Sequence, residues 1–240
     1  MTTANAAPPV AAGAIARGEG TGRFWRIAGA ASGLATIATE VAALALVSAA
    51  LPKPGTTTQV LSDFVRNNQA GLRTYSLLAG LVSGFLLWYA VSLGRYLRRG
   101  DDGAELGTVA MAAGSAQAIL HWVAASTLLM LPISVSAWTD LDLRVPVGWI
   151  GAYLTFLAYP TVVFAGAAGL RIVQTGLLPR WLGWAGLFVA AAELFTVFGS
   201  ALAANGPLSS GGTVGFASFL LWMAWIVATS IGLTRQELKR

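Results

Sequence analysis

The chain has 240 residues, of which 56% are hydrophobic and only 10% are charged, and its formal net charge is +5. A soluble domain normally carries about 25% charged residues, so this composition argues against a soluble globular protein. Cysteine is absent, which excludes disulfides, thiolate metal sites and cysteine nucleophiles. The basic residues stand at the ends of apolar runs, so the positive charge indicates membrane topology and does not predict a nucleic-acid partner.

The first 22 residues are rich in Ala, Pro and Gly and lack the apolar stretch of a signal peptide. This composition predicts a disordered cytoplasmic tail over 1–22. A single transmembrane domain is predicted over 23–236, and a short cytoplasmic tail follows at 237–240.

Six apolar segments are each long enough to cross a bilayer, which takes roughly 20 residues. Backbone groups in lipid must be hydrogen bonded internally, and the segments do not alternate as strands do, so they are predicted to be helices. The predicted fold class is therefore all-α, an integral membrane bundle of about six transmembrane helices in the cell membrane. The segments are 24–51, 74–97, 105–132, 148–172, 182–204 and 214–234.

The loops are short except for the stretch from Pro52 to Arg73. Its apolar residues Val60, Leu61, Phe64 and Val65 recur among polar ones at helical spacing, which predicts a short amphipathic helix over 58–72 on the outer surface. The loop 137–146 is predicted to be an extended segment or a turn. The three hairpins are not expected to share a motif or an inverted symmetry.

The orientation follows from the distribution of Lys and Arg, which favours the cytoplasmic side of short loops. With the N-terminus and the C-terminus inside, the outside holds only Lys53, Arg66, Arg73 and Arg144. The eleven basic residues on the cytoplasmic side are then Arg17, Arg23, Arg26, Arg95, Arg98, Arg99, Arg171, Arg180, Arg235, Lys239 and Arg240.

Three stretches resemble a known family. They are Ile27-Ala28-Gly29 leading to Glu40, the segment from Leu61 to Leu78 with its central Arg73, and the run from Tyr159 to Trp184 with its Gly-Leu-Leu-Pro-Arg-Trp-Leu-Gly turn. Together they are similar to bacterial six-pass membrane proteins, common in actinobacteria, that are known only as a domain of unknown function. The resemblance implies a helical bundle and brings no assigned activity and no catalytic residues.

Three ionisable residues lie inside predicted spans, where a charge is costly and indicates a functional site by default. Glu40, His121 and Glu193 stand near the middle of the first, third and fifth spans. We expect them to converge on one catalytic site. Polar and aromatic residues at similar depth are expected to bind the substrate there: Thr36, Gln117, Tyr159, Trp222 and Trp225.

A bland interpretation applies to each of these residues alone. A buried Glu can be protonated and bond a neighbouring helix, a single His is more often a packing residue than a ligand, and Trp stripes are more often core. No second His and no metal-binding motif is present, so no metal and no other cofactor is predicted.

Three functions remain open from the sequence. A protonated carboxyl in an apolar site is a good general acid, and Trp and Tyr faces stabilise a carbocation, which suits a cyclase or isomerase acting on an isoprenoid or lipid. The second is a small proton-coupled carrier or exporter, and the third is a structural or regulatory subunit without catalysis. The expected partners are membrane lipid and an apolar small molecule.

Overall fold

The computed structural model describes residues 12–46, 57–99, 104–134, 140–202, 207–208 and 212–240. Within these ranges the chain is helical, and no strand is present. The helices are α1 (Ala12–Leu46), α2 (Thr58–Asn67), α3 (Gln69–Leu97), α4 (Ala104–Ser134), α5 (Asp140–Thr175), α6 (Arg180–Leu202) and α7 (Thr213–Leu238).

The helix bounds differ from the predicted segments at three places. The first helix is already formed at Ala12, inside the predicted tail 1–22, and residues 1–11 lie outside the described part. The predicted amphipathic helix over 58–72 ends at Asn67, and the residues after Asn68 belong to α3. The predicted loop over 137–146 is helical from Asp140 onward, and residues 137–139 are outside the described ranges.

Six of the helices are long and apolar enough to cross a membrane, and α2 is the short exception. Large apolar side chains such as Phe188, Phe195 and Phe198 on α6 point outward and are exposed, as lipid-facing residues are. The chain is therefore a polytopic membrane protein with an all-α bundle, and α2 is the predicted short helix between the first two spans.

The six long helices form a closed ring in the order α1, α3, α4, α5, α6 and α7, because each packs on the next and α7 packs on α1. The α2 helix packs against α5, with fewer contacts to α3 and α4. We call the end of the bundle that carries Arg26, Arg99 and Glu237 the basic end, and the opposite end the α2 end. The basic end is the predicted cytoplasmic side.

Glycines bring neighbouring helices close together in the half of the bundle nearest the basic end. A Cβ added to Gly169 on α5 would lie 2.7 Å from the carbonyl oxygen of Gly183 on α6, and one added to Gly94 on α3 would lie 2.9 Å from the carbonyl oxygen of Gly107 on α4. Small residues at helix contacts are how membrane helices gain close packing without a hydrophobic driving force.

Candidate functional site

A layer of alternating glycines and aromatic rings closes the interior of the ring. The ring centres of Phe164 and Trp225 lie 5.6 Å apart, and those of Phe164 and Tyr89 lie 6.4 Å apart, both edge to face. Each glycine of the layer packs directly against one of these rings. A Cβ added to the glycine would lie closer to the ring atoms than an ordinary van der Waals contact allows. In ring order this aromatic layer is Gly33 (α1), Tyr89 (α3), Gly114 (α4), Phe164 (α5), Gly186 (α6) and Trp225 (α7).

The three predicted ionisable residues lie on the same helices as the glycines of the aromatic layer. Each of them follows its glycine by seven residues, toward the α2 end. Glu40 follows Gly33, His121 follows Gly114 and Glu193 follows Gly186 by the same interval. Seven residues make about two helical turns and a rise of about 10 Å, so each side chain lies on the same inward face as its glycine. The same interval on α7 leads from Trp225 to Ser218, and we call Glu40, His121, Glu193 and Ser218 the polar level.

Burial agrees with this placement. The exposed fractions of Glu40 and Glu193 are only 6% and 8%, and His121 is half-buried on the stripe of α4 that also carries Gly114 and Ala118. The predicted common depth thus agrees with the register of the helices. The joint catalytic role of the three residues stays a prediction, because α1, α4 and α6 alternate around the ring and His121 makes no ion pair with either glutamate in the described structure.

A polar side chain on an adjacent helix interacts with each glutamate. The Glu193 carboxyl lies beside the hydroxyl of Ser218 on α7, although Ser218 Oγ makes no hydrogen bond of ordinary geometry. The Glu40 carboxyl interacts electrostatically with the phenol of Tyr75 on α3. Both carboxyls therefore keep hydrogen-bonding capacity for another group.

Four buried polar atoms on the polar level or within about one turn of it have no hydrogen-bond partner. They are Gln117 Oε1 on α4, Tyr153 OH on α5, and Ser218 Oγ and Trp222 Nε1 on α7. A buried polar group without a partner costs roughly 1–3 kcal/mol, so several at one depth indicate bound water or a ligand. Gln117 and Trp222 belong to helices on opposite sides of the ring, and each stands three residues beyond the aromatic layer.

Aliphatic side chains replace two of the aromatic rings at the polar level. Seven residues beyond Tyr89 and Phe164 stand Val82 and Leu157, where the layer has rings. The large hydrophobic cluster that contains the aromatic layer is separate from a second one near α2, formed by Val65, Leu72, Leu128 and Leu131. The polar level lies between these two clusters.

The remaining predicted site residues have different positions. The hydroxyl of Thr36 is buried and donates to the carbonyl oxygen of Ser32 at 3.0 Å, so it is already satisfied on its own helix. The indole N–H of Trp225 donates to the carbonyl oxygen of Leu182 at 3.0 Å. Trp225 thus belongs to the aromatic layer, and Trp222, whose ring stacks on Phe219, stands nearer to the polar level.

The structure does not bring Tyr159 to the site. This side chain is 51% exposed and packs beside Phe156 on the outer face of α5. The buried stripe of α5 passes through Ala158, Thr161 and Ala165, which places Tyr159 one position off the inward face. Tyr153, which is not among the predicted site residues, has a buried hydroxyl near the site.

The sequence carried a pattern that reveals this site. The interval of seven residues from glycine to an ionisable residue occurs on α1, α4 and α6, the first long helix of each hairpin. The second long helix of each hairpin, α3, α5 or α7, supplies one ring of the aromatic layer. The three hairpins therefore share this spacing, which the expectation of no shared motif did not include.

No metal centre is formed by the described residues, since no three His, Asp or Glu side chains lie close enough together to hold an ion. Comparison with known proteins gives no relative: no family model, no curated protein and no solved structure matches the chain.

Proposed function

We propose that this protein is a membrane-embedded acid/base enzyme whose substrate is a lipid or an isoprenoid. The observation that carries the proposal is the polar level: two buried carboxyls and a histidine two turns beyond a closed aromatic layer, with unpaired polar atoms around them. We also propose that it resides in the cell membrane and belongs to the actinobacterial-type six-pass family that its sequence resembles.

A structural subunit is the less favoured alternative, because of where the helix-to-helix bonds lie. Buried side-chain bonds join the helices in the half nearest the basic end: Tyr89 to Thr229, Ser230 to the carbonyl oxygen of Ala30, and Trp225 to that of Leu182. Polar groups that only lock helix register are expected to be paired in this way. Glu40, with no such bond among the described residues, differs from that pattern.

The proposed reaction is a double-bond isomerisation or a proton-initiated cyclisation. One carboxyl, protonated in its apolar surroundings, adds its proton to a substrate double bond, and a carbocation forms. The other carboxylate then removes a proton from a neighbouring carbon, whose C–H electron pair forms the new double bond. His121, at the same level, returns the proton from the second carboxyl to the first. Trp222 presents an aromatic face that stabilises positive charge.

A deuterium-transfer experiment tests this proposal. Purified protein in D₂O is incubated with membrane lipid extract and a panel of isoprenoids, and mass spectrometry detects deuterium that stays on carbon after return to H₂O. We expect incorporation by the wild type and a loss of about 10²-fold or more in Glu40→Gln and Glu193→Gln, the usual contribution of general acid–base catalysis. Glu105→Gln, on the exposed first turn of α4, is the matched control and should be unchanged.

Two results would contradict the enzyme proposal: no incorporation by the wild type with any substrate, or full incorporation by both variants of the buried glutamates. A proton-coupled carrier is the second candidate, because the half nearest the basic end is closed by the aromatic layer and the polar level lies in the other half. A carrier predicts proton-linked solute uptake into liposomes that requires Glu40 or Glu193, without deuterium on carbon.

A further inference from the structure

A cluster of arginines surrounds a single buried carboxylate at the basic end, far from the polar level. Glu237 on α7 pairs with Nε of Arg26 on α1 at 3.3 Å and with Nη2 of Arg99, just after α3, at 2.8 Å. Arg23, one turn before Arg26, donates from Nη2 to the carbonyl oxygen of Leu238 at 3.1 Å. Among the described residues of this cluster, three guanidinium groups thus lie near one carboxylate, and two of them pair with it.

Part of this positive charge is accessible at the surface. The Glu237 side chain is only 4% exposed, whereas the Arg26 side chain is 45% exposed. Arg26 contacts Glu237 through Nε, and no other partner of Arg26 is found in the described part of the chain. Its terminal nitrogens are therefore free to donate to an anion, and guanidinium groups bind phosphate oxygens in pairs.

Exposed aromatic residues flank these arginines on the lipid-facing side. Phe24 and Trp25 are exposed, their ring centres lie 5.3 Å apart, and the Trp25 ring lies 5.6 Å from that of Trp88 on α3. Aromatic rings at the end of a membrane span sit at the level of the lipid headgroups, with their apolar faces toward the acyl chains. A positive site and an apolar surface therefore adjoin at the depth where a phospholipid has its phosphate and the start of its chains.

We propose that an anionic phospholipid binds at the basic end, with its phosphate held by Arg23 and Arg26 and an acyl chain along Phe24 and Trp25. Residues three apart on a helix are neighbours, so the two guanidiniums reach the same headgroup. Glu237 neutralises only part of the positive charge, which leaves the site selective for a headgroup with net negative charge over a zwitterionic one.

Lipid titration of the full-length protein in detergent, followed by native mass spectrometry, tests the proposal. Phosphatidylglycerol and phosphatidylcholine with identical chains are compared. We expect the wild type to bind phosphatidylglycerol at least tenfold more tightly and Arg26→Gln to lose that preference. Arg66→Gln, on the exposed face of α2 at the other end, is the matched control and should keep it. Equal binding of the two lipids by the wild type, or an unchanged preference in Arg26→Gln, overturns the proposal.

Two further arms distinguish a bound lipid from a free anion and from a purely structural ion pair. Inorganic phosphate at the lipid concentration should not displace phosphatidylglycerol, and Trp25→Ala should weaken both lipids; displacement by phosphate would show that a free anion is the ligand. Glu237→Gln removes the competing carboxylate, so phosphatidylglycerol affinity should rise about fivefold, the factor that one charge near a membrane surface contributes. If the ion pair is purely structural, Glu237→Gln brings no gain in phosphatidylglycerol affinity. Arg23→Gln should lose phosphatidylglycerol affinity, and this variant gives an independent result if Glu237→Gln fails to fold.

Discussion

Single glycines on α5 determine how closely that helix approaches α6. A Cβ on Gly169 would lie 2.7 Å from Gly183 O and 2.9 Å from the backbone nitrogen of Leu187, both of them backbone atoms that cannot rotate away. A Cβ on Gly166, one turn earlier on the same helix, would meet only Ala190 Cβ at 3.6 Å, an ordinary contact. The two positions therefore form a matched pair for testing this helix contact.

We predict that Gly169→Ala destabilises the protein by about 1–3 kcal/mol, the usual cost of overpacking, because α5 and α6 must separate to admit the methyl group. Gly166→Ala should be neutral or slightly stabilising, since alanine is the better helix former. Thermal unfolding in detergent, followed by tryptophan fluorescence, measures both. Equal melting temperatures for the two variants would show that the α5–α6 contact does not limit stability.

The sequence could identify the candidate residues but not all of their directions. Glu40, His121 and Glu193 were found because charge inside an apolar run is rare, and that argument needs no knowledge of helix faces. Tyr159 was assigned to the interior from its depth, but depth along a helix does not determine which face of the helix a side chain takes. Only the packing of α5 on its neighbours decides between the two faces.

The short helix α2 is held in place by one apolar face. Val65 is fully buried in the cluster with Leu72, Leu128 and Leu131, whereas Val60 on the same helix is exposed. Thr57 precedes the helix as its N-cap, and its Oγ1 accepts a long hydrogen bond of 3.5 Å from the backbone nitrogen of Val60. The burial of Val65 therefore anchors α2 on α3 and α4.

We predict that Val65→Asn releases α2 from the bundle, because burial of a valine is worth roughly 1.5–3 kcal/mol and a buried amide would need a new partner. Hydrogen exchange of the amides in 58–67 should become about 10–100 times faster, and exchange in α4 should change little. Val60→Asn is the control and should leave the exchange rates of α2 as in the wild type. Protection of α2 that survives Val65→Asn would mean that other contacts hold it.

At the scale of helices, hydropathy was sufficient to predict the number of membrane spans. It was not sufficient to predict the residues at which the helices begin. The apolar runs predicted six spans, and the described part of the chain has six helices long and apolar enough to cross a membrane. Helix α3 begins at Gln69 and not near 74, because the polar first turn continues the helix although it adds no hydropathy. Helix α5 begins at Asp140 for the same reason, since charged residues at a helix end are invisible to a search for apolar runs.

Across the whole molecule, the aromatic layer and the polar level lie in different halves of the bundle. The half nearest the basic end contains the aromatic layer, the Gly169–Gly183 and Gly94–Gly107 contacts and the Glu237 ion pairs. The half nearest α2 contains the polar level and its unpaired polar atoms. Access to the polar level is therefore expected from the α2 end or from the lipid, so the orientation of the bundle decides from which side of the membrane a substrate enters.

We predict that the basic end faces the cytoplasm. Eleven Lys and Arg residues then lie on the cytoplasmic side and four outside, and short loops with basic residues are retained on the cytoplasmic side during insertion. Reporter fusions after Arg99, Pro179 and Arg240 should be active as cytoplasmic reporters, and fusions after Lys53, Asp142 and Gly206 as external ones. Alternating assignments at all six positions would also verify the six crossings. The reverse assignment would place α2 and the polar-level half toward the cytoplasm, and the proposed lipid site would then face the outer leaflet.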